Sequence, residues 1–189
     1  MEGKQIPDTI FTMRIPDPWR WFPMHSGSIF KGNRILVFSL PGAFTPTCTT
    51  LQLPEYELHH DEIRKLNIDD IYCVSINDWF TMRAWFKKLN INKVTYLPDG
   101  NGDFTRHMGM LISKHNCGMG MRSWRYAMVV NNGMVEKMFI EAGMEDNSIE
   151  DPYTETTAKN IIDYLERRMV EDEIGAEVRD AVSSGYDAY

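Results

Sequence analysis

The chain has 189 residues, 43% hydrophobic and 25% charged, an ordinary globular composition and enough length for one domain with its own core. A formal net charge of −7 argues against nucleic acid or an anionic membrane as partner, and the longest apolar runs are far too short to cross a bilayer. Three cysteines at irregular spacing make no disulfide framework, and the opening MEGKQIPDTIF has no apolar signal-peptide region, so the expected setting is reducing and cytoplasmic.

Residues 1–30 hold Pro7, Pro16, Pro18 and Pro23 among the aromatics Phe11, Trp19, Trp21 and Phe22; they read as a hairpin or irregular strands laid on the core. The apolar run 34–40 is a buried strand. Pro41 ends it, Gly42 permits a tight turn, and Pro46 suits the first turn of a helix that runs to Leu66. Residues 69–76 form a second apolar strand, ending at Asn77-Asp78, an N-cap for a helix over 79–89. A short strand at 94–97 is closed by Pro98-Asp99-Gly100-Asn101-Gly102, and 104–111 is a short helix. Strands 125–130 and 134–141 are joined through the hairpin pair Asn132-Gly133. The last helix covers 156–169. Residues 170–189, acidic and ending SSGYDAY, read as a solvated helix turn and frayed tail after a domain of residues 1–169. This order, β-α-β-α-β-α-β-β-α, predicts an α/β fold with a mixed central β-sheet flanked by helices. The thirteen methionines are expected to fill gaps in the core.

Cys48 falls in the first turn of a predicted helix, where orphan N–H groups and the helix dipole favour thiolate over thiol. Cys73 lies in an apolar strand and is expected to be buried and inert. Cys117, in His115-Asn116-Cys117-Gly118-Met119-Gly120-Met121, lies in an exposed loop.

The string PGAFTPTC, with Pro41-x3-Thr45-x2-Cys48, resembles the active-site motif of peroxiredoxins, and of their type II, peroxiredoxin-5-like branch. CVSIND at 73–78, LPDGNGDFT at 97–105 and RSWRYAMVVNNGMVEKMFIE at 122–141 resemble the same branch. The likeness covers roughly residues 5–166 in order and extends to the peroxiredoxin part of peroxiredoxin–glutaredoxin hybrids. It implies a thioredoxin-like fold and a thiol-dependent peroxidase acting on hydrogen peroxide and organic hydroperoxides. Cys48 would be the nucleophile that becomes sulfenic acid, with Thr45 hydrogen-bonding the peroxide and Pro41 shielding the sulfur. The residues leave the required cation open between Arg122 and Arg125; the match of RYAMVV favours Arg125. No metal or other cofactor is implied.

Attack on a peroxide oxygen needs a thiolate, donors for the oxygens and charge stabilisation on the departing oxygen, which this set would supply. The family often has histidine where this chain has Gln52, which bears on the tuning of the sulfur. His59 and His60, further along the same helix, read as packing and surface residues. Some plant members resolve the sulfenic acid with a cysteine matching Cys73. The resolving cysteine of animal members would fall near 142–152, where this chain has none. A one-cysteine cycle is therefore expected, with glutathione and a separate glutaredoxin as reductant, since no Cys-x-x-Cys occurs in the chain. A thioredoxin-reduced enzyme with Cys73 resolving, and a peroxide sensor or relay protein, are the alternatives. A soft-metal binder built on His107, Met108, Met110, His115, Cys117, Met119 and Met121 is a third reading. Type II relatives form dimers through the active-site side, where Phe80 would lie, so a homodimer is expected.

Overall fold

A computed structural model describes residues 1–16 and 19–185. Its central layer is a five-stranded sheet of order β5-β4-β3-β8-β9. The strands are β3 (Arg34–Ser39), β4 (Asp70–Ser75), β5 (Thr95–Pro98), β8 (Tyr126–Asn131) and β9 (Met134–Ile140). β3 pairs parallel to β4, and β4 parallel to β5; β3–β8 and β8–β9 are antiparallel. The expected mixed sheet and thioredoxin-like arrangement are thus present.

Strand β3 is apolar from Ile35 to Phe38 because both faces of the sheet are covered. Leu36 and Phe38 join a core with Leu53, Tyr56, Trp85 and Leu165, while Ile35 and Val37 join a second core with Phe11, Phe30, Phe104 and Met128. Period-two alternation distributes each strand between the two layers. The first core is roofed by α2 (Leu53–Leu58), α3 (His60–Lys65), α4 (Trp79–Lys88) and α6 (Ala158–Gly185). The second is covered by α1 (Ser26–Phe30), α5 (Asp103–His107) and the N-terminal strand β1 (Ile10–Pro16).

β1 pairs antiparallel with β2 (Trp19–His25), the expected N-terminal hairpin; residues 17 and 18 lie outside the described residues. Asp78 caps α4 by accepting from Phe80 and Thr81 N–H. Asn132 and Gly133 both have positive φ, 47° and 80°, as a tight hairpin turn demands.

Four features depart from the sequence reading. The helix predicted over 104–111 stops at His107, because Gly109 turns left-handed (φ 73°) and Leu111 opens a strand. That strand, β6 (Leu111–Lys114), pairs with β7 (Gly120–Ser123) around a 3-10 turn at His115–Cys117, so the methionine-rich stretch is a small hairpin. The helix predicted through Leu66 is divided at His59, whose ψ of 7° leaves helical geometry. The last helix does not end at 169 but continues to Gly185. Beyond Leu165 the apolar residues Val170, Ile174, Val178 and Val182 keep a four-residue spacing but are exposed, and Glu, Arg and Ala keep helix propensity high. Residues 186–189 lie outside the described set.

Candidate active site

The turn after β3 sets the position of Cys48. Ala43 N–H donates to Asn77 Oδ1 at 2.9 Å, and Ser75 Oγ donates to the same oxygen at 2.7 Å. Phe44 is held left-handed at φ 65°, an uncommon conformation for a bulky side chain and one that persists only where surroundings enforce it. Thr45 ends the turn: its hydroxyl donates to Gly42 O at 2.7 Å, and its carbonyl accepts from Thr49 N–H at 3.0 Å. Pro46 and Thr47 are already helical, so Cys48 sits in the first turn, where amide N–H groups lack intrahelical acceptors. From Cys48 to Gln52 the helix widens to π geometry, and Leu53 N–H reaches back to Cys48 O. Such local widenings recur at functional sites.

Cys48 is fully buried. Arg125 Nη1 stands 3.6 Å from its sulfur and also donates to Gln52 Oε1; Nη2 pairs with Asp151 Oδ1. The guanidinium lies 5.7 Å from the ring centre of Tyr153, whose hydroxyl donates to Glu55. Burial pulls the Arg125 pKa down, but the charges of Cys48 and Asp151 outweigh it and hold the group above its ordinary value. The segment that follows Asp151 is held by Glu141. This buried carboxylate accepts N–H bonds from Thr154, Glu155 and Thr156 at 2.9–3.1 Å. Those bonds outweigh its burial and keep its pKa low.

Of the predicted site residues, Cys48 and Arg125 are brought together. Thr45 and Pro41 line a pocket of about 400 Å³, together with Asp151. Arg122 is directed elsewhere: Nη1 donates to Ile76 O and Nε to Met119 O, both at 2.9 Å. Cys73 is buried in β4 opposite Phe38, and burial, reinforced by the charge of Cys48, pushes its thiol well above the usual range. His59 pairs with Glu62 and His60 with Asp61 on the outer side of the helix. The soft-ligand set is divided: Met108 and Met110 are buried in the second core, whereas Cys117 and Met121 are exposed.

Gln52, which the sequence already marked as bearing on the tuning of the sulfur, follows Cys48 by four positions and lies on the same helix face; two further contributors were not singled out for the site from sequence. Asp151 and Asn77 reach the site from distant loops and carry no local signature.

A cysteine at the first turn of the helix that follows a central strand, under a buried arginine, defines a thiol oxidoreductase of the thioredoxin-like class. Comparison narrows the class. Residues 23–157 match the Redoxin family model. The chain is 48% identical over 169 residues to peroxiredoxin y4vD of Sinorhizobium fredii, covering 86% of this chain and 90% of that one. It is 44% identical to the hybrid peroxiredoxin hyPrx5 of Haemophilus influenzae, over 87% of this chain and 66% of that one. Among solved structures, the Plasmodium falciparum antioxidant protein (1-Cys peroxiredoxin) superposes with a TM-score of 0.84 at 37% identity, covering 88% and 99% of the two chains. The chain belongs to the peroxiredoxin family and is an oxidoreductase of the thiol-dependent peroxidase kind.

Proposed function

We propose that the protein reduces hydrogen peroxide and organic hydroperoxides at Cys48 and is regenerated by glutathione and a separate glutaredoxin. The observation that carries the first half is the 3.6 Å approach of Arg125 Nη1 to a fully buried Cys48 sulfur. The thiolate attacks one peroxide oxygen; an S–O bond forms as the O–O bond breaks. The departing oxygen leaves with the electron pair and takes a proton, giving water or an alcohol. Arg125 stabilises the negative charge before and during this transfer, and preorganised charge of this kind is the strongest single contribution in many enzymes. Thr45 and the Cys48 N–H hold the peroxide oxygens, and Pro41 keeps water off the sulfur.

The sulfenic acid then condenses with glutathione: Cys48–SOH and GSH give Cys48–S–SG and water. Glutaredoxin removes the glutathionyl group. Two observations support an external thiol. The Cys73 sulfur is buried in a strand with its ionisation suppressed, which disfavours it as a resolving nucleophile. The names of two relatives, a hybrid peroxiredoxin and a 1-Cys peroxiredoxin, point the same way. Three cysteines free of disulfides fit a reducing cytoplasm. Exposed Phe44, Leu51 and Phe80, which flank the site in sequence and helix, fit a homodimer formed through this side.

The test is peroxide consumption with three reductants supplied separately. Glutathione with glutaredoxin should sustain turnover faster than thioredoxin or glutathione alone. Efficient turnover with thioredoxin and none with glutaredoxin would reverse the assignment of the reductant. A single equivalent of peroxide consumed under every condition would instead indicate a sensor or relay.

A further inference from the structure

We propose that Lys114 is a positioning residue for the peroxide reaction: with Cys48 as the reacting thiol, as read above, Lys114 pins residues 148–150 and thereby holds Asp151 on Arg125. Lys114 is the last residue of β6 and is buried, 7% exposed. Its Nζ donates to Ser148 O at 2.6 Å and, more distantly, to Glu150 O at 3.4 Å, and it lies 5.8 Å from the ring centre of Trp124. An ammonium taken out of water is costly unless its N–H groups find acceptors. Here the acceptors are carbonyls two residues apart in one loop, so satisfying the charge and placing the loop are the same event. The residue after Glu150 is Asp151.

The loop is also fastened to the β6–β7 hairpin at its start. Ser113 N–H donates to Asp146 Oδ1 and Asn147 N–H to Ser113 O, both at 2.7 Å. Asn116 donates to Asn147 through its N–H at 3.1 Å and its side-chain amide at 2.8 Å. The side-chain bonds of this set are exposed, whereas the Lys114 bond to Ser148 is buried and acts close to Asp151. Beyond Asp151, Pro152 disfavours helical backbone at the aspartate, and Glu141 gathers residues 154–156. Trp124 joins the two anchors: its ring faces Lys114, and its Nε1 donates to Glu141 O at 2.8 Å. Asp151 thus hangs between two buried groups of opposite charge, both tied to the residue that precedes Arg125.

Arg125 depends on such a hold. Its buried Nε has no hydrogen-bond partner among the described residues, so the two Nη groups orient the planar guanidinium. Nη2 is given to Asp151, which leaves Nη1 for Gln52 and, at 3.6 Å, the Cys48 sulfur. The Asp151 side chain is 39% exposed and can exchange the arginine for water once its loop is released. The guanidinium would then pivot on Gln52 alone. A displacement of about 1 Å in a positioned group can cost about 10²-fold in rate.

The experiment compares the full-length protein with Lys114→Met, Asp151→Asn, the double variant, Lys114→Arg and Cys48→Ser in single-turnover oxidation by hydrogen peroxide, with thermal melting and circular dichroism in parallel. Lys114→Met removes the ammonium and keeps the apolar stem. It should slow oxidation roughly tenfold, Asp151→Asn likewise, and the double variant no more than roughly tenfold, since all three cut one chain of contacts. Lys114→Arg, which can still donate to both carbonyls, should recover most of the rate. Where Lys114→Met does not fold, Lys114→Gln takes its place in the same cycle. Losses that multiply to roughly hundredfold in the double variant would show Lys114 acting independently of Asp151; that result, or Lys114→Met oxidised at the wild-type rate, would overturn the proposal and leave the reading of Cys48 intact. Oxidation that persists in Cys48→Ser would overturn the reading of Cys48, and the proposal with it.

Discussion

Replacing Arg125 with alanine isolates the charge on which the peroxide step depends. At 3.6 Å from the sulfur, a full charge acting on a thiolate is worth about 4–5 kcal/mol at an effective dielectric of about 20. The guanidinium is shared with Gln52 and Asp151, so the net loss is smaller. Loss of one preorganised charge donor typically slows catalysis by about 10²–10³, or about 3–4 kcal/mol. The truncation also strands Gln52 Oε1, buried and without a donor, at about 1–3 kcal/mol of stability; Asp151, partly exposed, rehydrates. The protein should therefore remain folded but melt lower. The assay is stopped-flow oxidation by hydrogen peroxide in single turnover, with thermal melting and circular dichroism in parallel. Arg125→Lys keeps the charge but not the planar fork that serves Gln52 and Asp151 together, and should recover part of the rate. A single-turnover rate for Arg125→Ala equal to wild type would refute the charge argument and return the role to another cation.

Cys48→Ser should abolish peroxide reduction, while Cys73→Ser and Cys117→Ser retain the first turnover; substantial consumption by Cys48→Ser in a coupled assay would end the mechanism. Glu141→Gln should cost about 2 kcal/mol near neutral pH, because charge-assisted bonds to the backbone weaken. The folded pKa of Glu141 lies below its ordinary value of 4.5, so its stabilisation is present above that value and is lost as pH falls through the folded pKa. The melting difference between variant and wild type should shrink below about pH 4.5; a constant difference across that window would show that Glu141 acts through packing alone. Deleting residues 171–189 should leave the melting temperature and peroxide rate close to wild type, since no side chain beyond Leu165 is buried among the described residues; a large drop in melting temperature would reveal a packing role for the helix extension.

What the sequence made legible was whatever it encodes locally. The apolar run at 34–40, Pro41-Gly42 and Pro46 together specify strand, turn and helix start, and so place Cys48 in a first helical turn without any long-range information. Asn132-Gly133 and Asp78 are equally local, and both hold in the structure. The methionine-rich hairpin escaped because glycines at 109, 118 and 120 suggest a loop, although two of them shape the turn between β6 and β7. Arg125 could be narrowed to two candidates from residues alone, and the choice required the family likeness, because only the register of β8 against β3 carries it to the sulfur. Its anchors were less legible still. Asp151 depends on a segment held by one buried glutamate ten residues earlier, Glu141, which gathers the backbone of residues 154–156. A neutral Gln52 first reads as a loss of tuning beside the sulfur, but its amide oxygen accepts from the arginine and helps fix the guanidinium over Cys48. The nucleophile is thus a property of a short stretch of chain, whereas its charge environment is a property of the assembled sheet.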